Sequence, residues 1–314
     1  MLGATDRHFR QLARFLSQKA LLYTELVHAQ ALVRGTYALT LPAQAQGAPV
    51  ALQLAGGETQ DLAQAAAIAT PYGFSEINLN IGCPSPKGVA GQFGLCLMED
   101  PPLVARCFRA CRQATNLPVT IKCRLGSNPA YPWEKLLNFV ELLAQEGCQT
   151  FIVHARKADL KRYDTHQNRS LVPLDYPAVY RLKELYPQLE WVINGNITNN
   201  EEAAAHLRYV DGVMLGRSLY HNLFLLEEVD RLFFALPTPK RTREEYLKER
   251  ALPYIEREIA QGAPLSHFVR HLLGLYQYQR QATFWRRYLS QNAYKPGATL
   301  EVVYKALEEM ASRS

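Results

Sequence analysis

Seven short apolar runs recur along the first two thirds of the chain, with helically spaced stretches between them. This alternation constrains the fold more than any other feature. The runs are LLYTELV (21–27), PVALQLAG (49–56), EINLNIGC (76–83), PVTIKCRL (118–125), TFIVHAR (150–156), EWVINGN (190–196) and GVMLGRS (212–218). Most are continuous rather than alternating, as parallel strands buried on both faces are. Segments between them, such as TQDLAQAAAIATPYG, PPLVARCFRACRQATN and NEEAAAHLRYV, carry apolar residues at helical intervals. Strand–helix alternation of this kind builds βαβ units. The pattern predicts an α/β fold, a (β/α)8 TIM barrel over residues 1–237, of which seven strands are visible where eight are needed. Upstream of the first run, TDRHFRQLARFLSQ reads as a helix with Thr5 or Asp6 as N-cap, so the first barrel strand is expected to be missing from this chain.

The character changes at LPTP, residues 236–239, a proline-containing joint. From about residue 243 onward the sequence reads as helix, which predicts a small all-helical domain at 240–314. A chain of 314 residues with 48% apolar and 20% charged residues falls in the globular class and outside the disordered and collagen-like ones. The start has neither the basic nor the apolar segment of a secretory signal, and no apolar run is long enough to span a membrane. A cytoplasmic protein without a membrane partner is the expectation. Six cysteines without a CxxC pair predict neither a disulfide framework nor a zinc site. Cys107 and Cys111 read as helix packing, so no metal is expected. Of the net charge of +6, most sits at the end, where residues 238–314 carry 13 Lys and Arg against 8 Asp and Glu. Two readings of that excess are open, a solvated helical surface or a contact with a polyanion.

In a parallel barrel the chemistry sits at the C-terminal ends of the strands. There the sequence places Gln53, Asn78, Asn80, Cys83, Lys122, Arg124, His154, Arg156, Asn194, Gly195, Asn196, Gly216 and Arg217. The Asn194–Gly195–Asn196 and Gly216–Arg217 turns follow the last two runs, where barrels often bind phosphate through backbone N–H groups and an arginine fork. The alternative reading is ordinary tight turns. Lys122, inside an apolar run, calls for an anionic or acceptor ligand, or else snorkels at the rim. With Gln53 beside it, it suits the pyrimidine edge of a flavin. Cys83 opens a Gly- and Pro-rich loop, where a thiol with an ordinary pKa of about 8.5 can donate a proton near neutral pH. It can also be a packing cysteine.

At these residues the sequence resembles the tRNA-dihydrouridine synthase family, and within it the A-type bacterial subfamily. The matching stretches include TDRHFR, ALQLAGG, EINLNIGCPS, FGLCLM, VTIKCRLG, FIVHARKADLK, NRSLVPLDYP, VINGNI, DGVMLGR, RHLLGLYQ and WRRYLS, which together span residues 5–290. The resemblance implies a flavin-binding barrel with a helical C-terminal domain that reduces D-loop uridines of tRNA, at positions 20 and 20a. It implies that NADPH reduces FMN, that the flavin passes hydride to uracil C6, and that Cys83 protonates C5. The target base must leave its stack to meet the flavin. Met1, Gln53, Lys122, His154, Asn194, Gly195, Asn196, Gly216 and Arg217 carry over as FMN contacts. Asn80 and Arg169 carry over as the residues that hold the uracil. His166 and Arg286 carry over to tRNA, and Thr283 occupies a position that is commonly basic in the family. The basic helical region then serves folded RNA, and a monomer suits it.

Two further departures stand out. The family usually has Gly-Gly where this chain has Gly195-Asn196, and Asn tolerates the same backbone angles. Relatives also carry a strand of the type SVAPM before this point, which suggests that the true start lies upstream. Two other readings compete. One is a different FMN barrel oxidoreductase acting on a small pyrimidine. The other is a truncated, non-catalytic tRNA-binding homologue.

Overall fold

The computed structural model describes residues 1–37, 49–85, 88, 91 and 93–312. The seven apolar runs become seven strands: β1 (Leu22–His28), β2 (Val50–Ala55), β3 (Glu76–Asn80), β4 (Val119–Gly126), β5 (Thr150–Lys157), β6 (Glu190–Asn194) and β7 (Gly212–Met214). They form one parallel sheet in sequence order, β1 to β7. Helices run between successive strands, among them Thr59–Ala69, Pro101–Ala114, Trp133–Gln145, Tyr176–Leu185 and Asn200–His206. A parallel sheet in sequence order with helical crossovers is the topology of a TIM barrel.

Why the strands are continuous in sequence is visible in the register. Ile77, Val119 and Leu79, Ile121 pair across β3 and β4, and Ile121, Phe151 and Trp191 continue the row over β5 and β6. These side chains are buried, and Phe151 stacks on Trp191 with ring centroids 5.1 Å apart. The residues between them form the other face: Gln53 aligns with Asn78 and Thr120, Asn80 with Lys122, and Arg124 with His154 and Asn194. That face is polar. Lys122 of β4 reaches Asn194 of β6 over the intervening β5, a reach of 3.3 Å that the inside of a curled sheet permits.

Compactness groups the chain into two units. The first holds Met1, the described residues of Leu22–Leu41, and Val50–Gly216. The second holds Leu2–Leu21, the described part of Pro42–Pro49, and the described residues of Arg217–Ser314. The expected joint at residues 236–239 falls inside the second unit, and the N-terminal helix Arg7–Arg14 belongs there too. That helix is capped as its sequence suggests: the Asp6 carboxylate accepts from the Phe9 N–H at 2.8 Å. Burial is the largest single effect on the Asp6 carboxylate and raises its pKa, but His271, Arg270 and the helix N–H lie against it and together hold the pKa well below the usual carboxylate range.

Helices Leu252–Ala260, Ser266–Leu272, Ala282–Asn292 and Glu301–Ser312 make up much of the rest of the second unit. The region is not uninterrupted helix. Leu247–Ala251 is a π turn, and residues 273–281 break the run LSHFVRHLLGLYQYQRQATFWRRYLS in two. At Gly274 a Cβ would stand 2.0 Å from the His221 carbonyl oxygen, so only glycine admits that backbone approach. Tyr278 lies in the left-handed region at φ 67°. Trp285 is fully buried and donates its indole N–H to the Leu272 carbonyl at 2.8 Å, which makes it a core residue.

Candidate active site

The C-terminal ends of β2, β3, β4, β5 and β6 bring the expected residues into two adjoining groups. In the first, a chain of hydrogen bonds runs across the sheet. The Gly82 and Cys83 N–H groups both donate to Asn80 Oδ1, at 3.1 and 2.9 Å. Asn80 Nδ2 donates to Gln53 Oε1 at 3.0 Å, and Gln53 Nε2 donates to Asn78 Oδ1 at 2.8 Å. Asn78 Nδ2 then donates to the Thr120 hydroxyl at 2.8 Å, and Thr120 donates to Glu76 at 3.0 Å, where the Tyr23 hydroxyl also ends, at 2.9 Å. Every donor in the chain points the same way, from the Cys83 backbone toward the Glu76 carboxyl. Burial pushes the Glu76 pKa up, partly offset by these two hydroxyls.

The consequence is chemical. Asn80 Oδ1 is occupied by two backbone N–H groups, so the amide has an N–H left and can only donate to a ligand. Gln53 keeps one N–H and one lone pair, a two-way group. Cys83 lies three residues beyond the end of β3 and is partly exposed. Its backbone is backed by Gly94, at φ 75°, where a Cβ would stand 2.8 Å from the Cys83 carbonyl oxygen.

The second group lies one strand over. Lys122 is half-buried, and no carboxylate among the described residues pairs with it. Its ammonium donates to Asn194 Oδ1 at 3.3 Å, and Asn194 Nδ2 donates to the Met214 carbonyl at 2.7 Å. Burial, with Arg124 close by, pushes the Lys122 pKa down to about 8. A cation held in this way without a counterion fits an anionic or strongly accepting ligand. His154 borders the same group: a Cβ on Gly195 would come within 3.1 Å of its ring. Gly195 adopts φ 137° and Asn196 φ 53°, so Asn takes the left-handed angle at the position where Gly-Gly is usual. Around Gly216 a Cβ would meet only Met1, whose sulfur lies 3.6 Å away. The backbone at that turn is open enough for a phosphate to approach.

Other expected residues belong to other elements. Arg217 opens the helix Arg217–His221 of the second unit. Thr283 and Arg286 lie on the exposed side of helix Ala282–Asn292 in that unit. His166 is exposed and Arg169 half-buried in the loop after β5, where Arg169 Nε donates to the Thr165 carbonyl at 3.1 Å. Two buried residues of this region have partners that no sequence pattern marks. Asn168 fastens the loop from inside, and the Arg124 guanidinium bonds only backbone carbonyls. Cys107 and Cys111 are buried in helix Pro101–Ala114, and no group of three His, Cys, Asp or Glu among the described residues is placed to hold a metal ion. No helix among the described residues is long and apolar enough to cross a membrane.

A family model described as dihydrouridine synthase (Dus) matches residues 1–311. A Vibrio cholerae protein named tRNA-dihydrouridine(20/20a) synthase is 46% identical over 311 residues, covering 99% of this chain and 94% of the relative. Proteins of the same name from Pasteurella multocida and Escherichia coli O6:H1 are 47% and 45% identical, covering 99% and 100% of this chain and 95% and 94% of their own lengths. With a family match over nearly its whole length and relatives at this identity, the chain belongs to the dihydrouridine synthase family.

Proposed function

We propose that this protein reduces uridine to 5,6-dihydrouridine in the D-loop of tRNA, at positions 20 and 20a, with FMN as resident cofactor and NADPH as reductant. The observation that carries the reading is the pairing of Lys122, beside Asn194 and without a carboxylate partner among the described residues, with a Cys83 loop whose backbone donates to Asn80, itself held by Gln53. The relatives' shared name supplies the substrate and positions. Bound FMN would supply hydride, and Lys122, Gln53, His154, Asn194, Gly195, Asn196, Gly216, Arg217 and Met1 are the residues that would hold it.

Each side chain has a part that follows from its surroundings. Lys122 and the two-way Gln53 amide match the acceptor and donor pattern of a flavin's pyrimidine edge. Asn80, restricted to donating, suits a uracil carbonyl and disfavours the amino group that cytosine carries in its place. Arg169 holds the base from the loop side. Cys83 gives the proton that C5 needs once the ring has accepted hydride at C6. The proposed cell compartment is the cytoplasm and the proposed state a monomer, which leaves the basic helical face open to RNA.

Replacing Cys83 tests the assignment. Cys83→Ala is expected to retain flavin, because the thiol is absent from the hydrogen-bond chain, while dihydrouridine formation slows by roughly 10²–10⁴-fold. Dihydrouridine would be counted in tRNA lacking the modification after incubation with FMN and NADPH. An alanine variant as fast as its parent removes Cys83 from the chemistry.

A further inference from the structure

The end of β4 carries a buried cation that no role assigned above uses. Arg124 is 1% exposed. Its Nε donates to the Gly82 carbonyl at 3.0 Å, and its Nη1 donates to the Lys157 and Asn168 carbonyls, each at 3.1 Å. No carboxylate among the described residues forms an ion pair with it. Burial lowers its pKa to about 10, which leaves it charged at neutral pH. A buried guanidinium satisfied only by carbonyls is a costly way to fill space, since an apolar side chain fills the same volume without the desolvation penalty.

The identity of the three acceptors is informative. Gly82 precedes Cys83, Asn168 precedes Arg169, and Lys157 ends β5. Asn168 ties the loop after β5 together: its Oδ1 accepts from the Asp159 N–H at 2.7 Å, and its Nδ2 donates to the carbonyls of Asp159, Tyr163 and Asp164 at 3.1, 2.7 and 3.0 Å. A second tether runs between the same two loops, where the Thr165 hydroxyl donates to the Pro84 carbonyl at 3.1 Å. We propose that Arg124 is a positioning residue that locks the Cys83 loop and the Arg169 loop into one register, so that proton donor and base-holding arginine address the same pyrimidine. The planar fork matters, because a lysine ammonium at the end of a flexible stem cannot span three carbonyls in fixed directions. The inference rests on the dihydrouridine synthase reading for its consequence, and on the hydrogen bonds alone for the tether.

The test uses full-length protein loaded with FMN. In Arg124→Lys and Arg124→Met, FMN affinity, read by flavin fluorescence, is expected to stay close to that of the parent. Amide exchange is expected to quicken at Cys83 and Ser85 and at Arg169 and Ser170 together. Oxidation of the reduced flavin by unmodified tRNA is expected to slow on the order of 10²-fold, the loss that misplacement by about 1 Å brings. Methylguanidinium added to Arg124→Ala should restore part of that rate. A parental rate in the lysine and methionine variants, or faster exchange in only one loop, overturns the proposal. Should the variants not fold, the parent protein decides: the Cys83 and Asn168 amides must open together with one denaturant dependence, and separate opening overturns the tether. A parent whose reduced flavin is not oxidised by tRNA overturns the functional reading instead, and the exchange measurements still decide on Arg124.

Discussion

Lys122 is the residue on which the electrostatics of the site turn. Its folded-state pKa, about 8, lies below the ordinary lysine value of 10.5. Between those two values the folded protein binds fewer protons than the unfolded chain, so in the ligand-free protein this group's contribution to stability rises as pH rises from 8 toward 10.5. Below pH 8 the ammonium is held at a cost that a bound acceptor would offset. Lys122→Met is therefore expected to melt roughly 2–4 °C above its parent at pH 7 without ligand, with the difference fading toward pH 10.5. The same variant is expected to bind FMN about 10–100-fold more weakly, the worth of a lost charge-assisted hydrogen bond. Melting curves at pH 7 and 10 and a flavin titration check both; tighter FMN binding would remove Lys122 from the cofactor site. Lys122, Asn80 and Cys83 were legible in the sequence because a charge, an amide or a thiol at the end of an apolar run stands out against its neighbours. The work of Arg124 was not, because its partners are backbone carbonyls of three separate segments and no side-chain pattern records them.

At the level of elements, the seven runs became seven strands with ends shifted by a few residues, since continuous apolar character encodes burial on both faces. The end of the chain was less legible. Its helical composition is clear, but the break at 273–281 holds Gly274, whose backbone lies against His221, a contact distant in sequence. Helix Ala282–Asn292 illustrates what amphipathic spacing does convey. Ala282, Trp285 and Leu289 face inward, while Thr283, Arg286 and Arg287 are exposed together at i, i+3 and i+4. Arg286→Ala and Arg287→Ala are each expected to weaken tRNA binding and to lower the slope of log affinity against log salt by about 1, with the rate at saturating tRNA unchanged. Thr283→Lys should raise affinity with the opposite change in slope. Titrations at several salt concentrations read both, and unchanged slopes would exclude this face from the RNA contact.

For the whole molecule, the two compact units are each legible as a class, a parallel α/β sheet and a helical assembly, but not in their bounds. Residues 2–21 precede the sheet in sequence and yet group with the helices, where Asp6 meets Arg270 and His271 and where Arg7 meets Glu258 at 2.7 Å. Such pairings join segments some 250 residues apart, and local periodicity carries no trace of them. In the proposed function the chemistry falls to residues of the first unit and the RNA contact of helix Ala282–Asn292 to the second. The most direct measurement is a single turnover without oxygen: the FMN-loaded protein is reduced, mixed with unmodified tRNA transcript, and followed by flavin absorbance. Reoxidation by tRNA with one dihydrouridine formed per flavin, and none by free uridine, is the predicted result. A flavin that stays reduced with tRNA, or that is reoxidised equally well by a free pyrimidine, contradicts the account.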